Sequence, residues 1–176
     1  YRIGDCKIIL FITSLFKYKS KGEYYLVELA KRLDKYPNIK IMAVGIDKNS
    51  NILWQNIIPV TYLKDQKMLA QYYSMADLTI ILSQRETFSM VCAESLACGT
   101  PVVGFKAGAP EQIAIKEYSE FVNYGDLDAL ESTVLKWLSL KKEAGHKISM
   151  EAKKIYSKEN MYSNYLKLYK AFYNYI

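Results

Sequence analysis

Two glutamates stand eight positions apart in the run Glu86-Thr-Phe-Ser-Met-Val-Cys-Ala-Glu94. Glu94 interrupts small and apolar neighbours (Val91, Cys92, Ala93, Leu96, Ala97), among which an unpaired carboxylate is costly. A carboxylate only accepts hydrogen bonds and repels a phosphate, so Glu94 is suited to hydroxyls, and a sugar diol offers two. A helix dipole favouring an acid in its first turns is the simpler account of the same residue. Upstream, Lys17, Lys19 and Lys21 share one loop with no acid among them and run into a helix start. Ammonium groups beside free helix N–H groups make an anion site, with a merely solvated basic loop as the alternative. A third segment, Lys106-Ala-Gly-Ala-Pro-Glu111, carries Gly108 for close backbone approach, then Pro110 and Glu111 in positions that suit a helix start. One cationic loop for a diphosphate and one carboxylate-bearing loop for a sugar are therefore expected to face one crevice.

Such loops need strands and helices to aim them. KIILF at 7–11, IKIMAV at 39–44, a short run at 57–60, LTIIL at 78–82 and PVVGF at 101–105 read as strands, with a small sixth at 120–123. Continuous apolar runs of this kind belong to parallel strands covered on both faces. Helical spacing is expected over 22–35, 65–76, 89–97 and 110–115, with Gly99 ending the third helix in a left-handed turn. Residues 126–173 read as two or three more helices. Alternation of strand and helix predicts a doubly wound parallel α/β sheet, whose ligands bind at the strand carboxyl ends near the switch in strand order. The tyrosine-rich stretch from Met161 is expected to pack its Tyr/Leu stripe on the sheet domain; docking against a preceding part of the chain is the alternative.

At 176 residues the chain reads as one domain spanning 1–176. Three cysteines (Cys6, Cys92, Cys98) without a CxxC pair, and His146 as the sole histidine, indicate neither a disulfide framework nor a zinc site, and make a Ser-His-Asp hydrolase improbable. GxGxxG and the Walker loop are both absent. The net charge of +6 sits mainly in the first half, where 13 basic residues face 8 acidic ones. Arginine is scarce (Arg2, Arg32, Arg85), which argues against nucleic acid as the partner. A nucleotide fits the charge better, as does peripheral association with an acidic membrane surface. No apolar run approaches the ~18 residues of a membrane span and no signal peptide opens the chain, so a cytoplasmic location, reaching the inner face of the membrane, is expected. Asp126-Leu-Asp128 looks like a DxD metal motif, but after Gly125 and before a helix Asp126 reads as an N-cap.

The run from Glu86 through Glu94 to Gly99-Thr-Pro-Val-Val103 resembles the E-x7-E signature of retaining glycosyltransferases of family 4, also called group 1. Gly108-Ala-Pro-Glu111 is similar to that family's Gly-Gly-x-Pro-Glu turn, with Ala107 for the first glycine; Ser95 stands where alanine is usual. Lys21-Gly22 resembles its Lys-Gly, and LAQYYSMADL at 69–78 its L-x-x-x-Y-x-x-A-D helix end. The similarity spans about 5–135. It implies the donor-nucleotide half of a two-domain GT-B fold, a nucleoside-diphosphate sugar as donor, retention of configuration, and no cofactor or metal. By the same resemblance Lys21 neutralises the diphosphate, Glu86 contacts the transferred sugar, Phe88, Ser89 and Met90 present backbone amides, and Glu94 grips the ribose. The family's upstream arginine is replaced by Ser14, so Lys17 or Lys19 supplies the second positive charge or the diphosphate is held more weakly. Tyr1 is not an initiator Met, so a fragment is expected whose acceptor domain, for a glycan or lipid-linked acceptor, precedes it. A bacterial surface glycan is the expected product; a GT-B epimerase and a non-catalytic nucleotide-binding module are the competing readings.

Overall fold

The structure, a computed structural model, describes residues 6–13, 21–46, 54–140 and 145–173. Six strands, β1 (Lys7–Ile12), β2 (Ile39–Val44), β3 (Ile57–Val60), β4 (Leu78–Ile81), β5 (Val102–Phe105) and β6 (Ser119–Val122), form one sheet in the order β3-β2-β1-β4-β5-β6. All five pairings are parallel. Among the described residues seven α-helices accompany them: α1 (Glu23–Leu33), α2 (Gln66–Met75), α3 (Met90–Ala97), α4 (Pro110–Ile113), α5 (Leu127–Ser139), α6 (Gly145–Tyr156) and α7 (Lys158–Tyr173). The expected doubly wound α/β fold is what forms. Its order reverses between β1 and β4, so the connections leaving these neighbours pass to opposite faces and leave a crevice at their carboxyl ends.

Successive strand side chains point to opposite faces, and the burial follows that alternation. Ile9, Phe11, Ile41 and Ala43 share a cluster with Leu26, Leu29, Ala30 and Leu33 of α1 and with α5. Ile8, Leu10, Met42 and Val44 turn the other way, onto Tyr73 of α2. The same face continues across Ile81 and Val102 to α3 and α6. The four α1 residues recur at helical spacing, and each contributes roughly 1.5–3 kcal/mol on full burial, the alanine less. Cys92 of α3 is part of this packing, and burial pushes its thiol up to about 12, so it fills space and supplies no nucleophile. Asp77 staples the sheet across the switch: its Oδ2 accepts from the Ile8 amide at 2.9 Å and its Oδ1 lies 3.4 Å from Lys7 Nζ.

Element ends move by one or two residues from the sequence reading, as ends commonly do. Asp65 caps α2 by accepting from the Lys67 amide at 2.9 Å, and Asp126 caps α5 by accepting from Ala129 at 3.0 Å. Asp128, the other half of the DxD look-alike, pairs with Arg32 of α1. Pro101 precedes β5 rather than opening it, yet its carbonyl still accepts from the Thr79 amide at 2.9 Å. The expectation for the tail is corrected. None of the described residues of α7 is buried, and Tyr162, Tyr165, Tyr169 and Phe172 face outward. Both faces of the sheet are already covered by α1 and α5 on one side and α2, α3 and α6 on the other, and among the described residues α7 rests mainly against α6.

Gly22 sets how closely α1 meets the sheet. Its φ is +88°, and a Cβ there would stand 2.3 Å from the Leu82 carbonyl oxygen. Gly22→Ala is therefore expected to destabilise the fold by about 1–3 kcal/mol through backbone strain and displacement of the α1 start. An unchanged urea midpoint would contradict this close approach.

Candidate functional site

The crevice at the strand switch contains a cavity of about 320 Å³, lined by Phe11, Ile12 and Thr13 from the end of β1, Ile80 to Ser83 from β4, Lys21, and Glu86 to Val91. Its volume falls within the roughly 300–1,000 Å³ typical of small-molecule sites. Each wall follows from a strand that stops and a chain that must turn to reach a helix on one face or the other.

Lys21 immediately precedes the tight Gly22 turn, which brings its side chain across to the β4 loop. Its Nζ donates to Glu86 Oε1 at 2.8 Å. Glu86 is itself pinned. Its amide donates to the Ala107 carbonyl at 2.9 Å, and it pairs with Gly108 in an isolated parallel bridge. An ammonium has three donors, so Lys21 can hold Glu86 and still donate to a further acceptor. Glu86 also borders a second hollow of about 490 Å³ shared with Gln84, Arg85, Thr87, Lys106, Ala107 and Gly108. It thus forms the wall between the two cavities.

The head of α3 closes the cavity. Ser89, its N-cap, has φ +70°, the one positive value among described non-glycine residues. This conformation costs an ordinary side chain of order 1–2 kcal/mol. The Ser89 hydroxyl does not cap the helix; its Oγ is buried without a hydrogen-bond partner. A strained N-cap with an orphan hydroxyl leaves the first α3 amides uncapped by that side chain, and free helix-start amides attract anions. Phe88 and Met90 beside it are exposed and border the same cavity.

Glu94 does not line the cavity. The helix begins at Met90, so Glu94 lies four residues along it, roughly 6 Å farther on at 1.5 Å per residue. It faces α2, and its Oε2 accepts from the Tyr73 hydroxyl at 2.9 Å. The expected hydroxyl partner for this acid is thus provided within the fold. Lys17 and Lys19 lie outside the described residues.

Sequence reasoning passed over three features of the region. Ser95, the departure from the usual alanine, joins a buried network: its Oγ lies 2.7 Å from Thr79 Oγ1 and donates toward the Thr100 carbonyl at 2.9 Å. Arg85 and Lys106 bring positive charge to the second hollow, signalled only by their places beside Glu86 and directly after β5. Glu111 folds back on its own loop, accepting from the Ala107 amide at 3.0 Å and the Gly108 amide at 2.9 Å. This two-point contact fixes the turn against which Glu86 bridges.

Comparison with known proteins places the chain. A model of the family described as glycosyl transferases group 1 matches residues 2–155, and the chain belongs to that family. N-acetyl-alpha-D-glucosaminyl L-malate synthase of Bacillus anthracis is 27% identical over 179 residues, covering 96% of this chain and 47% of that protein. A D-inositol 3-phosphate glycosyltransferase of Thermomonospora curvata is 51% identical over 43 residues, which are 24% of this chain and 10% of that one. Among solved structures, sucrose-phosphate synthase of Thermosynechococcus elongatus superposes with a TM-score of 0.75 at 22% identity, covering 98% of this chain and 47% of that chain. A mutant of S. aureus TarM in complex with Fondaparinux, alpha-GlcNAc-glycerol and UDP gives 0.77 at 19%, covering 93% and 35%. The fold is the Rossmann-like fold of GT-B glycosyltransferases, and the chain spans about half the length of the first of these relatives.

Burial acts to raise the Glu111 pKa, but donation from the Glu111, Ala107 and Gly108 amides, with Lys106 nearby, outweighs it and holds the carboxyl below its ordinary 4.5. A carboxyl depressed in the folded state adds stability that is present above the ordinary value and fades as pH falls through the folded one. Amide resonances of Ala107 and Gly108 should therefore titrate below pH 4.5. They should lose that transition in Glu111→Gln; a midpoint at or above the ordinary value would contradict the contact.

Proposed function

We propose that this chain is the donor-binding half of a retaining glycosyltransferase, which moves a sugar from a nucleoside diphosphate to a glycan or lipid-linked acceptor. One juxtaposition supports the reading above all others: a half-buried lysine, a pinned carboxylate and a strained helix head meet in one cavity. An anion gains from the ammonium and from the helix dipole together. In this reading the diphosphate lies between Lys21 and the backbone amides of Phe88, Ser89 and Met90, while the sugar extends past Glu86 toward the open hollow.

The chemistry follows from that placement. The bond between the anomeric carbon and the diphosphate oxygen breaks, a bond to the acceptor oxygen forms on the same face, and the acceptor's proton passes to the departing phosphate. Charge develops on the leaving diphosphate, where Lys21 and the α3 N-terminus are already aimed, and such preorganised stabilisation is a large share of catalysis in group transfer. No metal is required in this scheme, because the lysine and the helix head supply the positive potential. Glu86 orients the sugar hydroxyls, and Glu94 takes the ribose diol farther along α3. The acceptor is assigned to a part of the protein outside this chain, and we place the reaction at the cytoplasmic face of a bacterial membrane, in surface-glycan synthesis.

The test is a thermal-shift and calorimetric panel of UDP-, GDP- and ADP-sugars on this chain. A ligand that binds only the native state must raise its melting temperature. One donor class should stabilise the chain, and Lys21→Ala should weaken its binding about tenfold or more, the size of a lost charge-assisted hydrogen bond. Glu94→Gln should weaken it while leaving the unliganded melting temperature within a few degrees. Nucleotide affinity unchanged in both variants would refute the assignment.

A further inference from the structure

Tyr73 is the one buried side chain of α2 and among the largest fully buried side chains of the domain. Its ring packs with Ile8, Leu10, Met42 and Val44, which fixes the ring on the sheet. From that fixed point its hydroxyl reaches Glu94 Oε2 at 2.9 Å. The helix ends behind this pair are bolted together: Thr100 Oγ1 donates to the Tyr73 carbonyl at 2.6 Å, and the Thr100 amide donates to the Ser95 carbonyl at 2.9 Å. Burial, then the neighbouring Glu94 charge, raises the Tyr73 pKa far above neutral, so the hydroxyl stays a donor at every physiological pH.

A carboxylate has roughly four acceptor sites, and Tyr73 occupies one of them. The packing of α3 has no need of an acid at 94, and the ion pairs of the described residues do not include it. A glutamate free on a helix surface samples several rotamers, and fixing one of them costs side-chain entropy. We infer that Tyr73 is a positioning residue for the donor site, a buried post whose hydroxyl selects the Glu94 rotamer that receives the two ribose hydroxyls. This rests on the reading of Glu94 given above. The buried phenol prepares the carboxylate, so that ordering it is not charged against nucleotide affinity.

The experiment compares, by calorimetry, the best-binding of UDP, GDP and ADP with its 2′,3′-dideoxy counterpart. The proteins are the unaltered chain, Tyr73→Phe, Glu94→Gln and the double variant. The unaltered chain should prefer the ribose form about tenfold or more, as expected for hydrogen bonds to a charged group. Tyr73→Phe, which keeps the ring, should shrink that preference about three- to tenfold while leaving dideoxy affinity nearly unchanged, and the double variant should be no worse than Glu94→Gln alone. Glu94→Asp, which keeps the charge but draws it one methylene back from Tyr73, should lose the preference too, and gives a readout independent of how well Tyr73→Phe folds. Equal weakening of both ligands by Tyr73→Phe, or a full ribose preference in Glu94→Asp, would overturn the inference while leaving the donor site intact. Should Glu94→Gln keep the ribose preference, the role of Glu94 itself fails, and the inference falls with it.

Discussion

A parallel sheet whose strand order turns back on itself cannot seal the end where it turns. β1 and β4 lie side by side, yet the chain leaving one goes to α1 and the chain leaving the other to α3, on opposite faces. The gap between those exits is a geometric consequence of the connections, independent of any ligand. What this sequence adds is the chemistry of the two rims: Lys21 on one and Glu86 with the head of α3 on the other, joined by a 2.8 Å ion pair. That pair costs little to break and gains little when made, since one partner is about one-third exposed. Its value lies in holding two charges at the mouth of the same cavity.

The rims are held by devices that make sense only together. Gly22 allows α1 to start against Leu82, Glu111 ties down the turn at Ala107 and Gly108, and that turn holds Glu86 by a backbone bridge. Ser89 keeps a backbone conformation that a serine avoids and a hydroxyl without a partner, a local deficit that the buried clusters around α3 can sustain. Strain of this sort persists where the surroundings over-determine it, commonly at functional sites. The deficit and the cavity coincide.

Much of this was legible in the residues. Apolar runs of strand length between helix-length amphipathic runs gave the parallel α/β class, because both faces of each strand must be buried. Asp126 was legible as a cap from Gly125 before it and a helical pattern after it. The Lys21–Glu86 encounter was legible only as a shared crevice, since 65 positions separate the two and side-chain reach is set in three dimensions. The Glu94 contact with Tyr73 was hidden for a different reason: a tyrosine in a weakly amphipathic helix carries no mark of which way its hydroxyl will point. The tail was misread because a Tyr/Leu stripe records that a surface is apolar and says nothing of whether the sheet has room for it. Here α1, α5, α2, α3 and α6 had filled that room.

In the proposed donor site a nucleoside diphosphate seats its phosphates on the head of α3 beside Lys21. Amide chemical-shift mapping of the chain during titration with UDP, GDP and ADP measures this most directly. At least one of them should shift the amides of Phe88, Ser89 and Met90 in a saturable manner, with Gly22 moving alongside. Perturbations confined to α5, α6 and α7, or none with all three nucleotides, would contradict it.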